Sequence, residues 1–172
     1  MSNPLTTAAE EFTERDEYRT PPEIFDGLGG RFDLDVAAPI PFDGPYCVPA
    51  SRRLTIEDDG LSQPWEKHHR QIVRPAFVWM NPPFGKRNGV VPWLKRFFEH
   101  GHGIGLVGAL TSAGWFHDWM PRASGLFFPR GKTRFIRRRY QSAYDCQMAG
   151  HDSSRQYQQS SVRFLGSASY FL

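Results

Sequence analysis

Apolar and polar positions change rhythm several times along this chain. TPPEIFDGLGG (20–30) opens with Thr before two prolines and closes in glycines, as a short capped helix would. RFDLDVAA (31–38) alternates apolar and polar and then ends in small residues, which predicts a strand and its exit loop. Residues 39–53 are rich in Pro and Gly and read as irregular. IVRPAFVWM (72–80) is an apolar run bounded by turn signals and predicts one buried strand. GVVPWLKRFFEH (89–100) has apolar residues at helical spacing, with Pro92 in the first turn. GIGLVGAL (103–110) predicts another buried strand, and GWFHDWM (114–120) a short helix. GLFFP (125–129) and KTRFI (132–136) predict strands around a Pro-Arg-Gly turn. Residues 137–160 are polar and predict a loop, and SVRFL (161–165) and ASYFL (168–172) predict the last strands. Strands and helices alternate first and strands stand alone at the end. The expected fold class is therefore α/β, with a mixed sheet and antiparallel C-terminal strands.

Length sharpens this picture. The chain has 172 residues, of which the first 17 are polar and expected to be a flexible segment. Residues 18–172 are expected to form one domain. Composition is 40% hydrophobic and 15% aromatic, so a core can form without covalent staples. The two cysteines, Cys47 and Cys146, fit neither a disulfide framework nor a zinc spacing, and plain thiols in a reducing cytoplasm are expected. The pairs His68–His69 and His100–His102 have no third ligand at a fitting spacing, so no metal is expected. MSNPLTTAAEEF lacks the basic and apolar regions of a signal peptide, and no apolar run approaches a membrane span.

Charge is mild on average, at +3, but uneven. Residues 130–139, RGKTRFIRRR, carry six Lys or Arg in ten, interrupting a strand-like pattern with Phe135 and Ile136. A solvated face is the ordinary use of such a run; contact with nucleic-acid phosphates is the reading the pattern favours.

The sharpest chemistry lies in VWMNPPFGKRNG (78–89). An apolar strand stops at Asn81, and strand ends of open α/β sheets are where ligands bind. The Asn81 side-chain carbonyl accepts hydrogen bonds, and Pro82, lacking an N–H, leaves the local backbone rich in acceptors. Phe84 offers a flat face for stacking on a planar ring. Two acceptors beside an aromatic plate suit an exocyclic amino group on a flat heterocycle. The competing reading is a rigid strand-to-loop turn with a core Phe.

NPPF resembles the Asp/Asn-Pro-Pro-Tyr/Phe motif of S-adenosylmethionine-dependent amino-methyltransferases acting on DNA. The wider pattern is closest to the small phage-type DNA N6-adenine methyltransferase family. Five segments carry the resemblance in order: RTPPEIF (19–25), FDLDVAA (32–38), EDDGLSQPW (57–65), NPPFG (81–85) and PRGKTRF (129–135). The resemblance covers residues 18 to about 136. The tetrapeptide alone is shared with protein-glutamine and RNA methyltransferases; all five segments together are far more specific.

The resemblance implies a reduced Rossmann-like methyltransferase fold, S-adenosyl-L-methionine as cofactor, DNA as partner and a cytoplasmic location in a bacterium or phage-infected host. It implies that Thr20 contacts the cofactor's carboxylate, with Pro21 shaping the turn. Asp35 would accept from the cofactor's amino group, with Asp33 as rival, and Ala37 and Ala38 would allow close backbone approach. Asp59 would accept from the cofactor's adenine, with Glu57 and Asp58 as rivals, while Leu61 and Trp65 flank or buttress that ring. Thr20 as a helix cap, Asp35 as a structural carboxylate and Trp65 as core are the plainer alternatives. Asn81, Pro82, Pro83 and Phe84 would hold the target base, flipped from a duplex or taken from a single strand. Lys86, Arg87, Arg130, Lys132, Arg134, Arg137, Arg138 and Arg139 are the expected nucleic-acid contacts, with Phe135 on the base side.

Two features depart from larger relatives. DVAAPIPFDG lacks the usual Gly-rich loop after the first strand, and YCVPASRRL has no clear acidic residue for ribose hydroxyls. Sequence choice would fall to loops 86–89 and 130–160. The alternatives are methyl transfer to cytosine N4, RNA adenine or a protein glutamine, and a non-catalytic nucleic-acid binder on a degenerate methyltransferase fold. The sequence leaves the oligomeric state open.

Overall fold

The computed structural model describes residues 19–40, 46–69, 72–83, 89–129, 133–135 and 169–171. Helix α1 (Pro22–Leu28) starts with Pro at N1, where a missing N–H costs nothing. It ends where Gly29, at φ 63°, turns its N–H back to the Phe25 carbonyl. The chain continues through β1 (Phe32–Asp35), β2 (Ala50–Arg53), a 3-10 turn (Ile56–Asp58), β3 (Glu66–His69), β4 (Ile72–Pro75) and β5 (Val78–Met80). Then follow α2 (Val91–His100), β6 (Gly103–Gly105), α3 (Gly114–Trp119), a second 3-10 turn (Met120–Arg122), β7 (Gly125–Leu126) and β8 (Ser169–Phe171).

Six strands form one sheet in the order β2-β1-β5-β6-β8-β7. Every pairing in it is parallel. Side chains alternate across a strand, so β5 sends Val78 and Met80 into one core and Trp79 into another. The first core packs Leu94 and Phe97 of α2 and Trp115 of α3 against the sheet. The second packs Phe25 of α1 with Phe32 and Trp79, ring centroids 6.1 and 4.8 Å from that of Phe25. Helices therefore cover both faces of a parallel sheet, an α/β arrangement compatible with a methyltransferase fold.

Several expectations are corrected. Among the described residues the C-terminal strands are parallel, not antiparallel: β7 and β8 run alongside β6. Residues 127–168 separate β7 from β8, ample for the crossover a parallel pair requires. Antiparallel pairing is confined to the separate β3–β4 hairpin. The expected strand 72–80 is two elements. Val73 is 59% exposed and Pro75 has no N–H, so burial starts only at Ala76, whose N–H goes to the Trp65 carbonyl. Residues 133–135 form no strand, and 161–165 lie outside the described residues, as does the N-terminal segment. The stretch 39–53, expected to be irregular, contains strand β2; Ala-Ser-Arg-Arg has no alternation because it is an exposed edge strand, held by the ladder with β1.

Candidate active site at the carboxyl ends of the strands

Because the strands of the sheet are parallel, their carboxyl ends share one edge. There the register aligns Arg53 of β2, Asp35 of β1 and Trp79 of β5 in a row. Asn81 follows two residues after Trp79. A shallow cleft opens at this edge, lined by Arg19, Thr20, Asp35, Ala37, Trp79 and Asn81 together with Pro39, Tyr46, Cys47 and Val48.

Asp35 is 1% exposed. Its carboxylate accepts the Tyr46 hydroxyl at 2.9 Å and the Ala37 N–H at 3.2 Å. Burial pushes its pKa up to about 7; the Ala37 N–H, the Tyr46 hydroxyl and the Arg53 charge pull the other way. Burial and the adjacent Asp35 carboxylate push the Tyr46 phenol up, and the Arg53 guanidinium lies 5.0 Å from the Tyr46 ring centroid. Its rival, Asp33, is spent on structure. It accepts the Lys67 ammonium and, at 3.1 Å, the Phe77 N–H. Burial would raise its pKa, but those two partners outweigh burial and hold it below its ordinary value.

Thr20 is 2% exposed, and its Oγ1 accepts Asn81 Nδ2 at 3.3 Å across 61 positions of sequence. This contact ties the Arg-Thr-Pro segment to the Asn-Pro-Pro segment. Thr20 is not the helix cap: Pro21 occupies that position and no side chain caps α1. Pro82 is buried and Pro83 half-buried, while Phe84, Lys86 and Arg87 lie outside the described residues. So do Arg130, Lys132, Arg137, Arg138 and Arg139; Arg134 is described and exposed.

The Asp-Gly-Leu segment is placed against the exit loop of β1 by one close approach. A Cβ on Gly60 would stand 2.1 Å from the Val36 carbonyl oxygen and 3.2 Å from the Trp93 ring. Trp65, fully buried in the first core, donates its Nε1 to the Gly60 carbonyl at 2.8 Å and so buttresses this turn. Asp58 is occupied by its own turn, accepting the Thr55 N–H and hydroxyl at 2.8 and 2.9 Å. Asp59 adopts a left-handed backbone at φ 51° and is exposed. Asp59 and Leu61 do not line the cleft; they stand beside the loop that leads from it. Gly60→Ala is expected to destabilise the fold by about 1–3 kcal/mol, the usual cost of overpacking. Thermal unfolding checks this, and an unchanged melting temperature would mean the loop yields freely.

Sequence reasoning missed Arg19, Tyr46 and Trp79 as cleft residues. Arg19 lies in the Arg-Thr-Pro motif, Tyr46 in a Pro- and Gly-rich stretch without periodicity, and Trp79 in an apolar run. The plain-thiol expectation also fails for Cys47, which is disulfide-bonded. Cys146, the other cysteine, lies outside the described residues. Among the described residues no three His, Cys, Asp or Glu are grouped to hold a metal, and no helix is long and apolar enough to cross a membrane.

Fold and cleft thus define an α/β protein of methyltransferase-compatible architecture, with a candidate ligand cleft at the carboxyl edge of a parallel sheet. The sequence model of one family, DNA N-6-adenine-methyltransferase (Dam), matches residues 7–153. The chain belongs to that family, and membership implies methyl transfer to the N6 amino group of adenine in DNA. No curated protein and no solved structure matches the chain.

Proposed function

We propose that this chain methylates adenine N6 in DNA using S-adenosyl-L-methionine, which fits the donor and acceptor set of the cleft, and that the target base enters flipped out of the duplex. The observation that carries this reading is the joining of Asp35, Thr20 and Asn81 around one cleft. The buried Asp35 carboxylate suits the cofactor's ammonium. The cofactor supplies an electrophilic methyl on a sulfonium.

Thr20 holds the Nδ2 end of the Asn81 amide, which fixes Oδ1 as the end that meets an amino group. Asn81 Oδ1 and the Pro82 carbonyl accept the two amino hydrogens of adenine and stabilise positive charge growing on nitrogen during in-line attack. Pro83 keeps the turn rigid and Phe84 stacks on the base. No prior deprotonation is needed, and the proton leaves to water after transfer. Asp59 and Leu61 serve the adenine ring of the cofactor from beside the β1 exit loop. DNA incubated with the protein and cofactor, digested to nucleosides and analysed by mass, tests the reading: N6-methyldeoxyadenosine is expected, and N4-methyldeoxycytidine or no product would overturn it.

The basic residues Lys86, Arg87, Arg130, Lys132, Arg134, Arg137, Arg138 and Arg139 are assigned to DNA phosphates. Each phosphate contact adds about 0.9 to the slope of log affinity against log salt for duplex DNA. Replacing Arg137, Arg138 and Arg139 with Ala is expected to flatten that slope by up to roughly three units. All DNA sequences should weaken similarly, since phosphates carry no base information. An unaltered slope in a filter-binding titration would make the run a solvated surface.

A further inference from the structure

The first three backbone donors after β1 are all committed. The Val36 N–H goes to the Trp79 carbonyl, the Ala37 N–H to Asp35, and the Ala38 N–H to the Leu54 carbonyl, at 3.0, 3.2 and 2.8 Å. A Gly-rich loop can turn its N–H groups toward a ligand; here all three serve the fold. An anionic group in the cleft finds no free donor at these three positions, which leaves side chains such as Trp79 and Arg19 to meet it.

Two tryptophans in this chain are fully buried, and they differ in one respect. Trp65 Nε1 donates to the Gly60 carbonyl. Trp79, 0% exposed, has no partner for its Nε1 among the described residues. A buried indole N–H ordinarily finds an acceptor. Packing does not require the nitrogen, since Phe25 and Phe32 contact the Trp79 ring only through its faces and edges, at centroid distances of 4.8 and 5.3 Å. Trp79 also lines the cleft, in register with Asp35 and beside the buried Arg19 and Thr20. An indole nitrogen is a donor only.

Resting on the reading of the cleft as the cofactor site, we propose that the Trp79 indole N–H is a recognition donor for the carboxylate at the amino-acid end of S-adenosyl-L-methionine. Asp35 and Trp79 then divide a zwitterion between neighbouring strands. The carboxylate of β1 takes the ammonium, and the indole of β5, with the Arg19 guanidinium nearby, takes the carboxylate.

The test is calorimetry on the full chain with two probes. Of the two charged groups at the amino-acid end, S-adenosyl-L-homocysteine carries both, and decarboxylated S-adenosylmethionine, which also keeps its sulfonium, carries only the ammonium. Trp79→Phe is expected to weaken the first by about 10- to 100-fold, as for a lost hydrogen bond to a charged group. Binding of the second should stay as in the wild type. Equal loss on both probes would make Trp79 a packing residue, and no loss on either would remove it from recognition. A wild-type chain that binds neither probe would sink the cofactor reading itself, which separates the two failures. A measurement on the unmutated protein covers a variant that does not fold. The Trp79 Nε1–H proton resonance should move downfield with S-adenosyl-L-homocysteine and stay with the decarboxylated compound; identical spectra with both would overturn the proposal.

Discussion

Asn81→Ala is expected to lower the rate of methyl transfer by about 100- to 1000-fold while cofactor affinity stays near that of the wild type. The magnitude is that of removing one preorganised group aimed at charge that develops in the transition state. The amide sits where β5 ends, beyond the buried Met80, and Thr20 orients it from a segment 61 positions earlier. Truncation to Ala removes the acceptor and leaves the β5 ladder with β1 and β6 intact. Thermal unfolding should therefore change little, since Asn81 is only half-buried. Asn81→Asp should retain substantial activity, because a carboxylate also accepts from an amino group and can in turn accept the Thr20 hydroxyl. Single-turnover kinetics on an adenine-containing duplex measures both. Near-normal turnover in the Ala variant would remove Asn81 from the chemistry, whatever its position.

Asn81 was legible in the sequence because an apolar run that stops at Asn-Pro-Pro is both a structural and a chemical signal. Thr20 and Asp35 became legible only through the order of the five motifs; the contact that unites Thr20 with Asn81 spans a distance no local pattern encodes. The choice between Asp33 and Asp35 could not be made locally either, since it depends on Lys67 and Phe77, which reach Asp33 from elsewhere in the chain. Tyr46 escaped for a related reason. A Pro- and Gly-rich stretch shows no periodicity, yet its backbone leads the phenol onto Asp35. Strand α/β alternation predicted β1, β5, β6, α2 and α3 because each buries a face whose period can be read. It failed at β2, where edge exposure erases the alternation; it found strands at β7 and β8 but not their direction, which the connection sets. Trp79 shows the remaining limit: a buried Trp in an apolar run reads as core, and only its unpartnered nitrogen in three dimensions separates it from Trp65.

Cofactor affinity is expected to rise with pH up to about 7 and then level, and Asp35→Asn should abolish that dependence. In the free protein, burial holds the Asp35 carboxyl at about 7, well above its ordinary 3.8. A bound ammonium stabilises the carboxylate and pulls this value down, so binding below pH 7 expels a proton. Affinity should then fall by up to about tenfold per unit of acidification. Stability of the free protein moves in the opposite sense. Because the folded-state value is raised, the Asp35 contribution to stability is fully present below about 3.8 and is lost as pH rises through about 7. Above that point the free protein carries a buried carboxylate whose charge only Ala37, Tyr46 and the Arg53 field offset. Asp35→Asn should thus stabilise the free fold at pH 8 while costing cofactor affinity heavily. Removing one partner of a buried charge pair costs roughly 2–5 kcal/mol, or about 30- to several-thousand-fold in affinity. Calorimetry in two buffers of different ionisation enthalpy reads the expelled proton directly at pH 6. Equal heats in both buffers, or an Asn variant with wild-type affinity at pH 8, would place the cofactor's ammonium on another group.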